Sequence, residues 1–190
     1  MTRRKTISDE ELLAVARSVF REHGHTATTR EVARQAGISE GILYQRFGSK
    51  EHLFFAAMIP RQPDFEALLG PHPPEEPART FFGHVLVRMA TYFADVIPLA
   101  LQVITHPSGL SAGIEHAQPG LRETYVALVS RLEWFESQGQ LRASTAARAA
   151  QLLMSLAHDW ALVHAAHGGG GPGTDDLEEM AEIVWRGVAP

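Results

Sequence analysis

Cysteine is missing from all 190 residues, and so is asparagine. Without cysteine there is no disulfide framework, no thiol nucleophile and no thiolate metal site, a composition that fits a cytoplasmic protein. The scarcity of lysine and the lack of asparagine imply no function by themselves. Long apolar runs are also wanting. The most apolar segment, Met89 to Ile104, is broken by Asp95 and Pro98 and reads as too short for a membrane span. The basic start has no apolar run behind it, which speaks against a signal peptide. No alternation of period two stands out, so no strand is expected.

Catalytic signatures are equally scarce. The Gly168 to Gly173 run, GGGGPG, lacks the Gly-Lys-Ser/Thr end and the preceding strand of a phosphate loop, and reads as a flexible connector. No nucleophile elbow occurs. His158 and Asp159 are chain neighbours whose side chains diverge on a helix. Ten histidines invite a metal site, but the His164 and His167 pair has no acidic or cysteine partner at ligand spacing. The expectation is therefore no enzyme, no catalytic residue, no metal and no cofactor.

What is present begins with charge. Residues 1–50 hold nine basic side chains against six acidic, a net of +3, whereas residues 51–190 hold eight against sixteen, or −8. A basic head on an acidic body is the footprint of a protein that meets phosphate at one end. The Arg3-Arg4-Lys5 arm can trail along a nucleic-acid backbone or simply be solvated. With 45% hydrophobic residues the chain can bury a real core.

From Thr28 to Leu53 the chain reads TTREVARQAGISEGILYQRFGSKEHL. Thr28 with Glu31 writes a capping box. Gly37 supplies a residue able to take a positive φ, where the chain reverses and Ile38 drops inward. Ser39 is expected to cap the next helix, and Ser49 the one after it. On the middle helix Leu43 and Phe47 share one face, leaving Glu40, Gly41, Tyr44, Gln45 and Arg46 on the remaining surface. That is a helix-turn-helix with a surface free to enter the major groove. Gln45 can pair with adenine, Arg30 with guanine, and Ile42 can touch a thymine methyl. Thr28, Thr29, Tyr44, Arg46 and Lys50 suit phosphate, and such contacts position without specifying.

This pattern resembles the DNA-binding signature of the TetR family of transcriptional regulators. The resemblance rests on Thr28, Arg30, Ala36, Gly37, Gly41, Ile42, Leu43, Tyr44, Phe47, Ser49, Lys50, Glu51 and Leu53, and covers roughly the first 55 residues. Two positions depart from it: Ile42 stands where the family often has a small residue or Thr, and Arg46 where it has His or Tyr. The resemblance implies an all-α protein, with a three-helix DNA-binding head over residues 1–59 and a larger helical effector-binding and dimerisation domain over residues 60–190. The interface set it predicts is Thr28, Thr29, Arg30, Ser39, Glu40, Gly41, Ile42, Tyr44, Gln45, Arg46 and Lys50.

Periodicity places helix one after Ser8, which with Glu11 writes another capping box, and a linking helix from about Ser49 to Ile59. Prolines crowd the stretch from Pro60 to Pro77, leaving room for a short helix near Asp64 to Leu69. Further helices are expected near Ala78 to Val96, Leu99 to Thr105, Leu121 to Gln138, Thr145 to His167 and Asp175 to Gly187. The stripe of Phe82, Val85, Met89, Tyr92 and Phe93, faced by Trp134 and Phe135, reads first as core. The resemblance implies a cavity in this body, for which the candidate lining is Phe82, Met89, Tyr92, Phe93, Gln102, Trp134 and His158. It also implies a homodimer through the last two helices, with Leu153, Leu156, Trp160, Val163 and Val184 as the candidate interface; the same faces can instead fill the monomer core.

The expected function is a homodimeric regulator in the cytoplasm, most simply a repressor, that binds a pseudo-palindromic double-stranded DNA operator and leaves it when a small hydrophobic effector binds. The rival is a sensor or carrier of hydrophobic molecules whose head no longer binds DNA. An enzyme hidden in the helical body is a weaker third, and no membrane partner is expected.

Overall fold

A computed structural model describes residues 7–59, 62–107, 120–168 and 173–190. Among these the protein is built of α-helices joined by turns, with no strand. The Arg3-Arg4-Lys5 arm and most of the Gly168 to Gly173 connector lie outside the described residues. In order the helices are α1 (Asp9–His23), α2 (Thr29–Ala36), α3 (Glu40–Phe47), α4 (Lys50–Met58), α5 (Phe65–Leu69), α6 (Ala78–Thr105), α7 (Leu121–Ser137), α8 (Ala146–Ala166) and α9 (Thr174–Val188), with one 3-10 turn at Gly24–Thr26. By its internal contacts the chain forms two units, one of Met1–Pro60 with Leu99–Gln118 and one of Arg61–Pro98 with Pro119–Pro190.

The first unit forms around α1. Ser8 and Glu11 complete the expected box, the Ser8 amide donating to Glu11 Oε2 (2.9 Å) and the Glu11 amide to Ser8 Oγ (3.1 Å). Leu12, Ala16, Val19 and Phe20 then recur at helical spacing and are fully buried. They pack with Val32, Ala33, Leu43, Leu53, Phe54 and Met58 from α2, α3 and α4, and with Leu99 and Val103 from the end of α6. Phe20 meets Phe54 edge to face, with ring centroids 5.0 Å apart. Arg17 Nε donates to the Ala57 carbonyl (2.7 Å), satisfying one of the orphan acceptors at the end of α4.

The second unit is built around α6 from Ala78 to Pro98. Phe81, Phe82, Val85, Leu86 and Met89 pack against Leu128, Leu132 and Phe135 of α7, Leu153 and Ala157 of α8, and Leu177 and Ala181 of α9. Its helix ends are closed by side chains far away in sequence. Glu136 accepts from the Ala146 amide (2.6 Å) at the start of α8. Arg131, nearly all buried, donates to the Gly70 carbonyl (2.6 and 3.1 Å) just past α5 and to Ala127 (3.0 Å). Burial pushes its guanidinium below the ordinary arginine range.

One element differs from its expectation. Ala78 to Val96 and Leu99 to Thr105 are not two helices but a single α6 of 28 residues that runs through Pro98. Proline removes one backbone donor and crowds the preceding turn, yet apolar side chains are buried on either side of it, Phe93 and Ile97 in one core and Leu99 and Val103 in the other. Packing outweighs the local penalty. The continuous helix is also long and apolar enough to cross a membrane by length and composition, which the broken reading excluded.

Candidate nucleic-acid interface

The helix-turn-helix is assembled from three local devices. At the start of α2 the Glu31 amide donates to Thr28 Oγ1 (3.2 Å), while Glu31 Oε2 accepts from the Thr28 amide (2.7 Å) and hydroxyl (2.9 Å). These bonds, the backbone one first, lower the pKa of the Glu31 carboxyl. At its end Gly37 sits at φ 68°, ψ 29°, the left-handed region that a β-carbon disfavours. The Ile38 amide donates to Ala33 (3.0 Å) and the Gly37 amide to Arg34 (3.3 Å), the pair of bonds of a Schellman turn, and Ile38 packs on the core. Ser39 follows at the N-cap of α3 with extended backbone, but its side chain makes no capping bond, contrary to expectation. Ser49 does cap α4, accepting from the His52 amide (3.0 Å).

On α3, Leu43 is buried and Phe47 and Ile42 are partly so, while Gly41, Tyr44 and Gln45 are exposed. Arg30 on α2 is exposed as well, and so is Arg34, which the sequence reading left aside. Other predicted contact residues hold the unit together. Thr29 is only 7% exposed, and its hydroxyl lies 2.7 Å from Glu40 Oε1 and 3.2 Å from the Tyr44 hydroxyl. Arg46 Nη1 donates to the Ile7 carbonyl (2.8 Å) and lies 3.2 Å from Asp9 Oδ1, joining α3 to the start of α1. Lys50 Nζ donates to the His25 carbonyl (2.7 Å) in the 3-10 turn. Neither the buried hydroxyl nor these two tethers could be read from spacing, because the partners lie 11 to 39 residues away in sequence.

The body candidates are placed differently. Phe82, Met89 and Phe93 lie in the core of the second unit, and Tyr92 and Trp134 are partly buried against it. Burial raises the pKa of the Tyr92 phenol. His158 is exposed, with its ring 5.9 Å from that of Phe93. Gln102 belongs to the first unit, where its Nε2 donates to the Arg21 carbonyl (3.3 Å), whereas the other six belong to the second. A concavity of about 240 Å³ opens beside Gly70, Pro74, Glu76 and Phe81, none of them a predicted lining residue. Of the interface candidates, Leu153 is fully buried in the monomer and Trp160 and Val184 nearly so; Leu156 and Val163 are partly exposed. The exposed apolar side chains of the last two helices are Leu152, Leu162, Met180 and Ile183.

Residues 12–57 match the family described as bacterial regulatory proteins, tetR family. Two curated relatives match the same end of the chain. One is the HTH-type transcriptional dual regulator CecR of Shigella flexneri, 43% identical over 56 residues, 30% of this chain and 25% of the relative. The other is the HTH-type transcriptional repressor AcnR of Corynebacterium glutamicum, 44% identical over 52 residues, 27% of this chain and 28% of the relative. The matches thus span about a quarter of each relative's length. A solved structure from Mesorhizobium loti, described as a TetR-family transcriptional regulator, shares the fold with a TM-score of 0.75 at 18% identity, over 94% of this chain and 93% of that one. Residues 12–57 thus carry a match to the bacterial tetR regulatory family, and nearly the whole chain shares the helical fold of the solved structure from Mesorhizobium loti.

Proposed function

We propose that this chain is a DNA-binding transcriptional regulator, a homodimeric repressor in the cytoplasm that grips a pseudo-palindromic operator and is released by a small hydrophobic effector. The observation that carries the reading is the outer surface of α3, where Gly41, Tyr44 and Gln45 are exposed beside Arg30 while Leu43 anchors the other side in the core. A helix so presented enters the major groove, Gln45 and Arg30 meet base edges, and backbone amides at the starts of α2 and α4 meet phosphates. No part of this arrangement calls for bond-making chemistry, and the proposed role is regulatory, not enzymatic.

Dimerisation has a geometric reason. One head spans only a few base pairs, whereas two related by a twofold engage half-sites a helical turn or more apart. Leu152 and Leu156 on α8, with Met180 and Ile183 on α9, provide apolar surface that a second copy would cover. Effector response then works by linkage: a ligand that prefers a body conformation incompatible with DNA weakens DNA affinity by the factor by which DNA weakens its own. Polar handles for such a ligand exist in the body, where Trp160 and His164 stack 4.6 Å apart and both Trp160 Nε1 and His164 Nδ1 are buried with no hydrogen-bond partner among the described residues. Helix α6 lends residues to both units and is the natural carrier of the signal.

Selection of bound sequences from a random DNA pool tests the reading. A pseudo-palindromic motif is expected, and its affinity should fall with salt at a log-log slope of about −0.9 per neutralised phosphate. An unenriched pool, or a flat salt response, would remove the DNA-binding role and favour a carrier of hydrophobic molecules.

A further inference from the structure

Resting on the DNA-binding reading, we propose that Glu40 is a base-reading residue, that the class of edge it reads is the exocyclic amino group of cytosine in the major groove, and that Thr29 is its positioning residue. The directions of two hydrogen bonds lead there. Thr29 Oγ1 is 2.7 Å from Glu40 Oε1 and 3.2 Å from the Tyr44 hydroxyl. A carboxylate only accepts, so Thr29 donates to Glu40; a threonine hydroxyl has one proton, so Tyr44 must be the donor in the second contact. A directed chain results, Tyr44 to Thr29 to Glu40, with its central residue Thr29 buried, only 7% exposed.

That chain spends Oε1 of Glu40 and leaves Oε2 as an acceptor held in place at the first residue of α3. The amino end of a recognition helix is the part that reaches base edges. The neighbouring Gly41 is exposed and carries no side chain to screen Glu40. A fixed negative charge against a duplex is repelled by phosphates unless it faces a donor. In the major groove guanine shows N7 and O6 and thymine O4, all acceptors, while cytosine shows the N4 amino group without an acceptor beside it. Glu40 therefore works as a filter, favouring cytosine and opposing guanine and thymine at one position of each half-site.

Random-pool selection with the full-length protein, its Glu40→Gln, Thr29→Val and Thr29→Ser variants, and thermal melts to verify folding tests this. Glu40→Gln keeps the size and the bond to Thr29 but replaces the free acceptor with a donor; it should reduce the cytosine preference at that single position by roughly tenfold. Thr29→Val should blur the same position, and Thr29→Ser should restore what valine removes. If folded variants return the wild-type motif with only the overall affinity changed, Glu40 is merely a staple between α2 and α3 and the inference is overturned. A wild-type motif without a cytosine at any position sensitive to Glu40→Gln also overturns it. If the wild-type protein enriches no sequence, the DNA-binding reading falls and takes this inference with it.

Discussion

At Thr28 a hydroxyl and a carboxylate three residues apart accept from two amides at the start of α2. Replacing Thr28 by Ala should lower stability in urea unfolding by about 1 kcal/mol, the usual worth of an N-cap side chain; an unchanged midpoint would mean water serves these amides equally well. Glu31 adds a pH dependence whose sign follows from its lowered pKa. The carboxyl is more acidic folded than unfolded, so its contribution is complete above the ordinary glutamate range and disappears as the pH drops through the lower folded value. The stability gap between wild type and Glu31→Gln should be widest at neutral pH and close toward pH 3. A gap constant with pH would show that the charge on Glu31 contributes nothing.

Among the elements, the end of α6 is the most informative. His106 follows its last turn and rests on α4, its ring 4.7 Å from Phe54 and 5.2 Å from Phe55, with His25 6.2 Å away. Burial lowers the pKa of this imidazole, His25 and Lys50 push the same way, and Glu51 opposes them. A histidine with a depressed folded pKa supports the fold above its unfolded value, about 6.5, and that support is lost as the pH falls. His106→Phe should therefore make stability less sensitive to pH between 7.5 and 5 than wild type, measured by thermal melts across the range. Parallel curves for the two proteins would discard the idea.

For the whole molecule, the decisive surface is the outer side of α8 and α9. Ile183 is 66% exposed and Leu152 51%, apolar surface that the proposed second copy would cover. Ile183→Glu or Leu152→Glu is expected to convert a sedimenting dimer to monomer while leaving the melting temperature of the monomer nearly unchanged, because neither residue belongs to the core. Persistence of the dimer in both variants would place the interface elsewhere. Substituting Leu153 or Trp160 cannot make this distinction, since both are buried within one chain and their loss would unfold it.

The sequence alone determined most of what neighbours a few residues apart govern, the side-chain cap expected of Ser39 excepted. Capping boxes at Ser8 and Thr28, the left-handed glycine at 37, the apolar spacing of Leu12, Ala16, Val19 and Phe20, and the helical character of the body are local and were legible there. Tertiary structure decided what depends on distant partners. It made one helix through Pro98 because buried side chains flank the proline on both sides. It turned Thr29 inward to Glu40 and Tyr44, tied Arg46 and Lys50 to backbone carbonyls, and sank Leu153 and Trp160 into the core while leaving Leu152 and Ile183 outside. A helical period narrows a residue to a face, but which of several apolar faces is covered, and by what, is set only when the other helices are packed against it.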